Sequence, residues 1–375
     1  MRLTVVKETL DGESRVAMVP ALVERFTALG YEVVVEPGAG VAALHGDDEY
    51  AEAGATVAAG TLGDSEVVLS VQQLTGDQVR RLPEGGATFS FLPPAQSLEM
   101  VALRRDLQIT SFALELVPRI SRAQAMDALS SQALVAGYRC AIVAAGRLRR
   151  FFPLNMTAAG TVRPAEVLVL GAGVAGLQAI ATCKRLGAVV KAYDVRAAAA
   201  EEIRSMGATA IELDLESLEG TGGYAREMTT DRAERQRELL SPYVEAADAL
   251  ITTAAVPGRQ APLLVTGEMV QRMRPGSVVV DLAADTGGNV EGSVPGSVVA
   301  VGGAQLWGGS NVPSQMPEPA SMLYSHNLLN LVTLMTTEEG FTPDFEDEIV
   351  AGTCVTHAGR VTHAPTLELL GGPDE

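Results

Sequence analysis

The fold is decided by the stretch Val167-Leu168-Val169-Leu170-Gly171-Ala172-Gly173-Val174-Ala175-Gly176, which continues into the apolar segment 177–186. The first four residues predict a strand buried on both faces, and the segment after the glycines is typical of a helix. The three glycines permit a tight turn, close approach of the backbone to a pyrophosphate, and close packing of helix on strand. The helix N-terminus offers free N–H groups and a favourable dipole to phosphates. The stretch therefore predicts a dinucleotide-binding domain.

A carboxylate follows the glycine turn at the spacing that such domains use. Asp194 comes eighteen residues after Gly176 and ends the next predicted strand, in Tyr193-Asp194-Val195-Arg196. A carboxylate there accepts hydrogen bonds from ribose hydroxyls and repels a 2′-phosphate, which favours NAD over NADP. Arg196 argues weakly in the other direction, because a nearby arginine can accommodate that phosphate. Strand, helix and acid together disfavour a glycine-rich turn without a ligand.

Strands and helices alternate on both sides of this motif. Six strands are predicted in the second half of the chain, at 167–170, 189–193, 208–213, 249–253, 278–282 and 298–301. An earlier series is predicted at 3–6, 32–36, 66–71, 88–92 and 109–113, with helices at 20–29, 47–54, 76–82 and 97–105. This alternation is typical of parallel sheets covered on both faces. The predicted fold class is α/β, with two Rossmann-like parallel-sheet domains and an interdomain cleft.

Two apolar helical segments, 130–150 and 322–335, join or follow these series. The second lies after the last predicted strand, so we expect the C-terminal residues to return to the first domain and make it discontinuous. The predicted domains are 1–130 with 315–375, and an NAD-binding domain at 131–314. A small hairpin is predicted around Ala358-Gly359.

Composition narrows the classes of function. The 375 residues include 28 Lys and Arg against 46 Asp and Glu, a net charge of −18 that disfavours binding to nucleic acid. Neither the three cysteines nor the four histidines have metal-ligand spacing, so we expect reduced thiols and no metal site. No P-loop or Gly-x-Ser-x-Gly elbow occurs. The absence of a long uninterrupted apolar run predicts a soluble, cytoplasmic protein.

A polar segment, 119–131, is the second candidate for function. If it is helical from Ser121, with Ser121 as its cap, Gln124, Asp127 and Ser131 share one face, with Ser130 at its edge. Periodicity alone favours a solvated helix face, whereas the position at the expected junction of two α/β units favours a functional one. The loop 220–224 has similar alternatives: its glycines favour an ordinary flexible loop, and its single tyrosine allows a lid over a cofactor.

These motifs, taken in order along nearly the whole chain, resemble the NAD(H)-binding alpha subunit of the proton-translocating NAD(P) transhydrogenase family, in the version whose soluble first domain is a separate chain. The resemblance is carried by Arg15-Val16-Ala17, 119–131, the glycine turn, Gly222-Gly223-Tyr224, Thr252-Thr253-Ala254 and Val280-Asp281-Leu282-Ala283. It implies a Re/Si-specific transhydrogenase component and a homodimer. It also implies partner subunits that hold NADP(H) and span the membrane, with this chain at the inner face of the cell membrane.

The same resemblance implies roles for individual residues. Arg119, Asp127 and Ser130 match the loop that holds the nicotinamide carboxamide, Gln124 matches the residue that reaches toward NADP(H), and Tyr224 matches the mobile tyrosine that closes over NAD(H). The implied contacts to NAD(H) are Gly171, Ala172, Gly173, Val174, Gly176, Asp194, Val195, Arg196, Gly223, Gln236 and Ala255.

A more distant resemblance, to alanine dehydrogenase, leaves a self-contained amino-acid dehydrogenase as the alternative. That enzyme uses a lysine and a histidine to handle protons and the substrate carboxylate, and the corresponding places here look like Ser70 and Pro93. Arg15 and Asp285 still match the alanine dehydrogenase pattern, so the alternative stays open at this point.

Overall fold

The computed structural model describes residues 1–215, 229–256 and 258–372. Their strands are β1 Arg2–Val5, β2 Glu32–Val35, β3 Thr56–Val57, β4 Val67–Leu69, β5 Ala87–Ser90, β6 Thr110–Ala113, β7 Asn155–Thr157, β8 Gly160–Val162, β9 Glu166–Leu170, β10 Val189–Tyr193, β11 Thr209–Ala210, β12 Ala249–Thr252, β13 Val278–Asp281, β14 Val298–Val301, β15 Ala304–Gly308, β16 Thr336–Thr337, β17 Gly340–Phe341, β18 Cys354–His357 and β19 Arg360–Val361. Their α-helices are α1 Val23–Ala28, α2 Asp47–Glu52, α3 Gly76–Val79, α4 Leu98–Asp106, α5 Ala128–Arg147, α6 Val174–Arg185, α7 Ala199–Ser205, α8 Thr230–Ala246, α9 Gly267–Gln271, α10 Pro317–Leu334, α11 Glu348–Thr353 and α12 Ala364–Leu369.

The chain forms two compact units. The first combines Met1–Gln132 with Ser314–Glu375, and the second is Ala133–Pro313. Each unit has its own main sheet and its own hydrophobic clusters. The predicted α/β class, with two Rossmann-like sheets and a discontinuous first domain, is confirmed.

The first unit is built on an eight-stranded sheet in the order β19-β18-β6-β5-β4-β1-β2-β3. Its strands β1 to β6 pair in parallel. The C-terminal residues return to this sheet, because β18 pairs antiparallel with β6 and the buried side chains of α10 belong to the same core. The predicted hairpin is present between β18 and β19, where Ala358 and Gly359 both have positive φ, as a type I′ turn requires.

The second unit is built on a seven-stranded sheet in the order β11-β10-β9-β12-β13-β15-β14. The first five strands have the 3-2-1-4-5 order of a dinucleotide-binding sheet. The predicted sixth strand, β14, is an antiparallel edge strand paired with β15. The sequence of β15, Ala-Gln-Leu-Trp-Gly, lacks β-branched residues and follows Gly302-Gly303, so it carries no strand pattern of its own.

The helix α5 is, in the described part of the chain, long and apolar enough to cross a membrane by length and composition. Half of its apolar window is buried inside the protein. Core helices of proteins have the same two properties, so this helix is weak evidence for a membrane span.

Candidate functional site: the glycine turn and the 119–131 segment

The glycine turn lies at the carboxyl edge of the second sheet. In the parallel register of β9, Leu170 lies opposite Tyr193 of β10 and Thr252 of β12. The residues that follow these three strands therefore lie side by side. At Gly176 an added Cβ would lie 1.9 Å from the carbonyl oxygen of Gly171, so the turn needs glycine there for its own packing.

Gly173, the middle glycine, is different. Its φ of −73° suits any residue, and an added Cβ would have no heavy atom within 4 Å. No side chain of the described residues caps the N-terminus of α6, which begins at the next residue. The fold itself therefore does not require glycine at this position, whereas a pyrophosphate on the helix N-terminus does.

Asp194 is held beside this turn. Its Oδ2 accepts a hydrogen bond of 2.7 Å from the backbone N–H of Ala172. Arg196 donates to the same carboxylate from its backbone N–H and from Nε, both at 2.9 Å, and from Nη2 at 3.1 Å. Nη2 of Arg196 also donates to the carbonyl oxygen of Ala172 at 3.2 Å. The ion pair thus occupies the guanidinium group with the acid and the turn.

The loop after β12 is fixed by a buried amide. Asn289 accepts from the N–H of Ala254 at 3.0 Å and donates to the carbonyl of Ala254 at 2.8 Å, while its own N–H donates to Asp281. Ala255, predicted to contact NAD, follows directly and is exposed. Asn289 has no signal in the sequence, because its partner lies 35 residues away along the chain.

Other predicted contacts have mixed environments. Val174 is exposed at the start of α6, and Val195 is half-buried after Asp194. Gln236 is buried in α8, where its Oε1 accepts a hydrogen bond of 3.2 Å from Tyr193. Gly223 and Tyr224 lie outside the described residues.

The segment 119–131 differs from the continuous α-helix expected from Ser121. Residues Ser121–Met126 form a 3₁₀ helix, Ile120 and not Ser121 is its N-cap residue, and Asp127 leaves helical geometry at ψ 88°. The cause is the carboxylate of Asp127, which accepts from the N–H of Ser130 at 2.8 Å and from its hydroxyl at 2.6 Å. Such a bond from a side chain to the backbone starts a new helix, α5, and ends the previous one.

Asp127 and Ser130 are therefore brought together, while Arg119 and Gln124 are exposed in the same segment. The segment is held from α10 by Asn327, whose side chain donates to the carbonyl of Ala125 at 2.9 Å and accepts from the hydroxyl of Ser131 at 2.7 Å. Asn327 has no sequence signal either, since it lies about 200 residues from its partners in a helix that otherwise has an apolar pattern.

A buried ion pair lies in the first unit. Arg15 donates to both carboxylate oxygens of Glu13, from Nε at 2.8 Å and Nη2 at 2.7 Å, and Nη1 donates to Gln132. Burial alone raises the pKa of the Glu13 carboxyl, but the hydrogen bonds and charge of Arg15 outweigh it and lower that pKa to about 2. The charge of Arg15 is thus neutralised inside the protein. Ser70, at the place where the alanine dehydrogenase pattern has lysine, is buried and its hydroxyl has no partner in the described residues.

A second acid near this pair has the opposite shift. Burial raises the pKa of Glu8 to about 7, although its carboxylate accepts the N–H groups of Val71 and Gln72. The folded protein therefore binds a proton more tightly than the unfolded chain, and its stability falls as pH rises from about 4.5 through 7. We expect Glu8→Gln to raise the free energy of unfolding at pH 8 by on the order of 2 kcal/mol, and to match wild type near pH 4.

Urea denaturation at the two pH values measures this effect. Glu13→Gln is the matched control, because it leaves Arg15 buried without its carboxylate and is expected to destabilise the protein at pH 8. A Glu8→Gln variant that is less stable than wild type at pH 8 contradicts the assignment.

Fold and site together define a two-domain α/β protein of the dinucleotide-binding class, with an uncapped helix N-terminus and an adjacent acid at the carboxyl edge of one sheet. Residues 4–136 match the family model "Alanine dehydrogenase/PNT, N-terminal domain", and residues 140–364 match "Alanine dehydrogenase/PNT, C-terminal domain". The chain belongs to the alanine dehydrogenase/PNT family.

Within this family, the chain is 46% identical over 376 residues to the first of the chains that make up NAD(P) transhydrogenase subunit alpha in Rhodospirillum rubrum, covering 97% of this chain and 98% of the relative. It is 30% identical over 384 residues to alanine dehydrogenase of Mycobacterium tuberculosis, covering 100% and 98%. A solved transhydrogenase structure from Sinorhizobium meliloti is 41% identical, has a TM-score of 0.88, and is matched over 96% of this chain and 100% of that one. The resemblance predicted from the motifs is confirmed, with alanine dehydrogenase as the more distant relative.

Proposed function

We propose that this chain is the NAD(H)-binding subunit of a Re/Si-specific, proton-translocating NAD(P) transhydrogenase. It binds NAD(H) at the turn Gly171–Gly176 and passes hydride between NADH and NADP+ held on a partner subunit. The observation that carries the proposal is Gly173, which faces open space at an uncapped helix N-terminus beside Asp194. The 46% identity to a transhydrogenase alpha subunit supports it.

The ion pair of Asp194 and Arg196 favours NAD(H) over NADP(H). Because the guanidinium group already bonds to Asp194 and to the carbonyl of Ala172, binding a 2′-phosphate requires it to leave both. The carboxylate would also repel that phosphate. NADP(H) is therefore assigned to the partner subunit.

The chemistry needs alignment and no general acid. Hydride transfer between two nicotinamides moves no proton at the reacting carbons, so it requires close approach of the two rings and exclusion of water. In the proposal Arg119, Asp127 and Ser130 hold the carboxamide of NAD(H), Gln124 aligns the second nucleotide, and Tyr224 closes over the site. The hydrogen bonds between Asp127 and Ser130 supply a rigid, polar surface for this task.

The alternative is an alanine-dehydrogenase-like enzyme, the other named member of the family. A free cationic side chain is needed there to hold the substrate carboxylate. Arg15, which matches that pattern, is buried in an ion pair with Glu13, and Ser70 cannot donate a proton as a lysine does. These observations favour the transhydrogenase.

One experiment separates the two functions. The purified chain is mixed with an NADP(H)-binding partner domain, and hydride transfer from NADH to an NADP+ analogue is followed by absorbance. A parallel sample contains NADH, pyruvate and ammonia without the partner. We expect turnover only in the first sample, and turnover in the second alone would overturn the proposal.

Gln124→Asn is expected to lower the rate of hydride transfer about tenfold while NADH affinity stays within about twofold. The reason is that Gln124 is exposed and assigned to alignment, so shortening it by one methylene affects distance and not anchoring. Single-turnover kinetics and NADH titration measure the two effects separately. Equal losses in rate and affinity would contradict the assigned role.

The homodimer is proposed to form through the hairpin of β7 and β8. Leu154 and Met156 are 52% and 75% exposed there, and apolar side chains displayed together on a small sheet are typical of an interface. We expect Met156→Glu to shift sedimentation from dimer toward monomer, whereas Leu10→Glu, a control at another exposed leucine, should not. Unchanged sedimentation of Met156→Glu would place the interface elsewhere.

The location follows from the partners in this proposal. The chain works in the cytoplasm, at the inner face of the cell membrane, and is attached through the subunits that span the membrane and conduct protons. Binding of NAD(H) is assigned to the domain 131–314.

A further inference from the structure

We infer that the second unit carries a binding site for an organic phosphate with at least two negative charges, separate from the glycine turn. The site is a cavity of about 680 Å³, within the usual size range of small-molecule sites. Four arginines line it: Arg149, Arg150, Arg163 and Arg274. Its apolar wall is formed by Leu148, Phe151, Val162, Pro164 and Ala165.

The cavity lies at the amino edge of the central parallel strands. Arg149 and Arg150 follow α5, Arg163 lies between β8 and β9, and Arg274 precedes β13. The glycine turn is at the other end of β9, which is five residues long. At about 3.3 Å per residue, the two places are roughly 15 Å apart. The proposed function uses none of these arginines.

A buried carboxylate organises the arginines. Asp248 is 4% exposed, and its Oδ2 accepts the backbone N–H of Glu166 at 3.0 Å. Its Oδ1 lies 3.3 Å from Nη1 of Arg274 and 3.5 Å from Nε of Arg150. One acid thus orients two guanidinium groups, and each group keeps further N–H donors for a ligand.

The remaining charge is positive. Arg149 and Arg163 are exposed and have no hydrogen bond or ion pair within the described ranges. Glu166, the other acid of the lining, is paired with Lys191 at 3.3 Å. Four arginines beside one unshared acid are an unusual concentration of positive charge in a chain of net charge −18.

Phosphate is the ligand chemistry that fits this arrangement. Guanidinium groups bind phosphate oxygens through pairs of parallel hydrogen bonds, and several of them together favour a group with two charges over a carboxylate with one. The apolar wall opposite the arginines suits the organic part of the molecule. Phosphates of a free ester and of a lipid headgroup share this chemistry.

Calorimetry tests the site on the full chain saturated with NADH, so that the glycine turn is occupied. Inorganic pyrophosphate and ADP are titrated at pH 8, and vesicles with and without phosphatidic acid are used in a co-sedimentation arm. We expect binding of a soluble probe at one site per chain, or of the phosphatidic acid vesicles. The second result assigns the phosphate to a lipid.

Arg149→Ala/Arg163→Ala is expected to weaken that binding at least tenfold, with unchanged thermal unfolding, because neither side chain holds the fold together. Arg25→Ala/Arg81→Ala removes the same charge from exposed positions of the first unit and should bind as wild type does. Absence of binding in both arms, or equal binding by the Arg149/Arg163 variant, would overturn the inference. Neither outcome depends on the proposed transhydrogenase, since a chain with no affinity for NADH can be titrated in the same way.

Discussion

Gly173→Ala is expected to weaken NADH binding by roughly 100-fold, about 2.7 kcal/mol, while the unfolding temperature remains that of wild type. The backbone at this residue suits alanine, and the added Cβ meets no heavy atom of the protein within 4 Å. Its direction is toward the space at the N-terminus of α6, where the pyrophosphate of a dinucleotide approaches the backbone most closely. Fluorescence titration with NADH and thermal unfolding measure the two quantities.

Gly176→Ala is the matched control for this prediction. The same change three residues later places a Cβ 1.9 Å from the carbonyl oxygen of Gly171, so the turn or α6 must shift. We expect a clear fall in the unfolding temperature, of the size produced by overpacking a core. If Gly173→Ala binds NADH as wild type does, the glycine turn is not the pyrophosphate site.

Asn327→Leu is expected to lower the rate of hydride transfer by roughly ten- to 100-fold and to change NADH affinity much less. The side chain of Asn327 is nearly buried and holds two points of the 119–131 segment, the carbonyl of Ala125 and the hydroxyl of Ser131. Leucine has a similar volume and leaves both groups without this partner, so the segment that carries Asp127 loses its fixed position. Asn327 is thus a positioning residue, distant in sequence from the groups that it orders.

Stopped-flow measurement of a single turnover, beside NADH titration, separates rate from affinity. Asn330→Ala is the control, because Asn330 donates to the same carbonyl of Ala125 at a longer distance of 3.3 Å and is less buried. Asn327→Asp, which keeps an acceptor for Ser131, should recover some of the rate. Equal effects of the Asn327→Leu and Asn330→Ala changes would show that Asn327 has no special role.

The sequence carries most of the information about the two sheets and the glycine turn. Buried parallel strands are continuous apolar runs, and their pattern is local, so β9, β12 and β13 are visible without any tertiary structure. The hairpin around Ala358-Gly359 is equally local. The two-residue strand β3 and the strand β15 are not visible, because pairing with a neighbour defines them more than composition does.

The segment 119–131 illustrates where periodicity fails. Apolar spacing predicts one helix from Ser121, but the bonds from Asp127 to Ser130 divide it into a 3₁₀ turn and α5. A carboxylate at such a position can either face solvent or cap a new helix, and spacing alone does not distinguish the two.

The sequence by itself therefore determined the fold class, the glycine turn with its acid, and the family. Each of these depends on residues that are close along the chain or on a pattern that repeats within one element. Only the tertiary structure decided that Arg196 is held by Asp194, that Arg15 is neutralised by Glu13, and that Asn327 and Asn289 support the site loops. It also decided that four arginines gather around Asp248. Which partner a polar or charged side chain chooses depends on burial and on strands brought together from distant regions of the chain, and neither is encoded in local spacing.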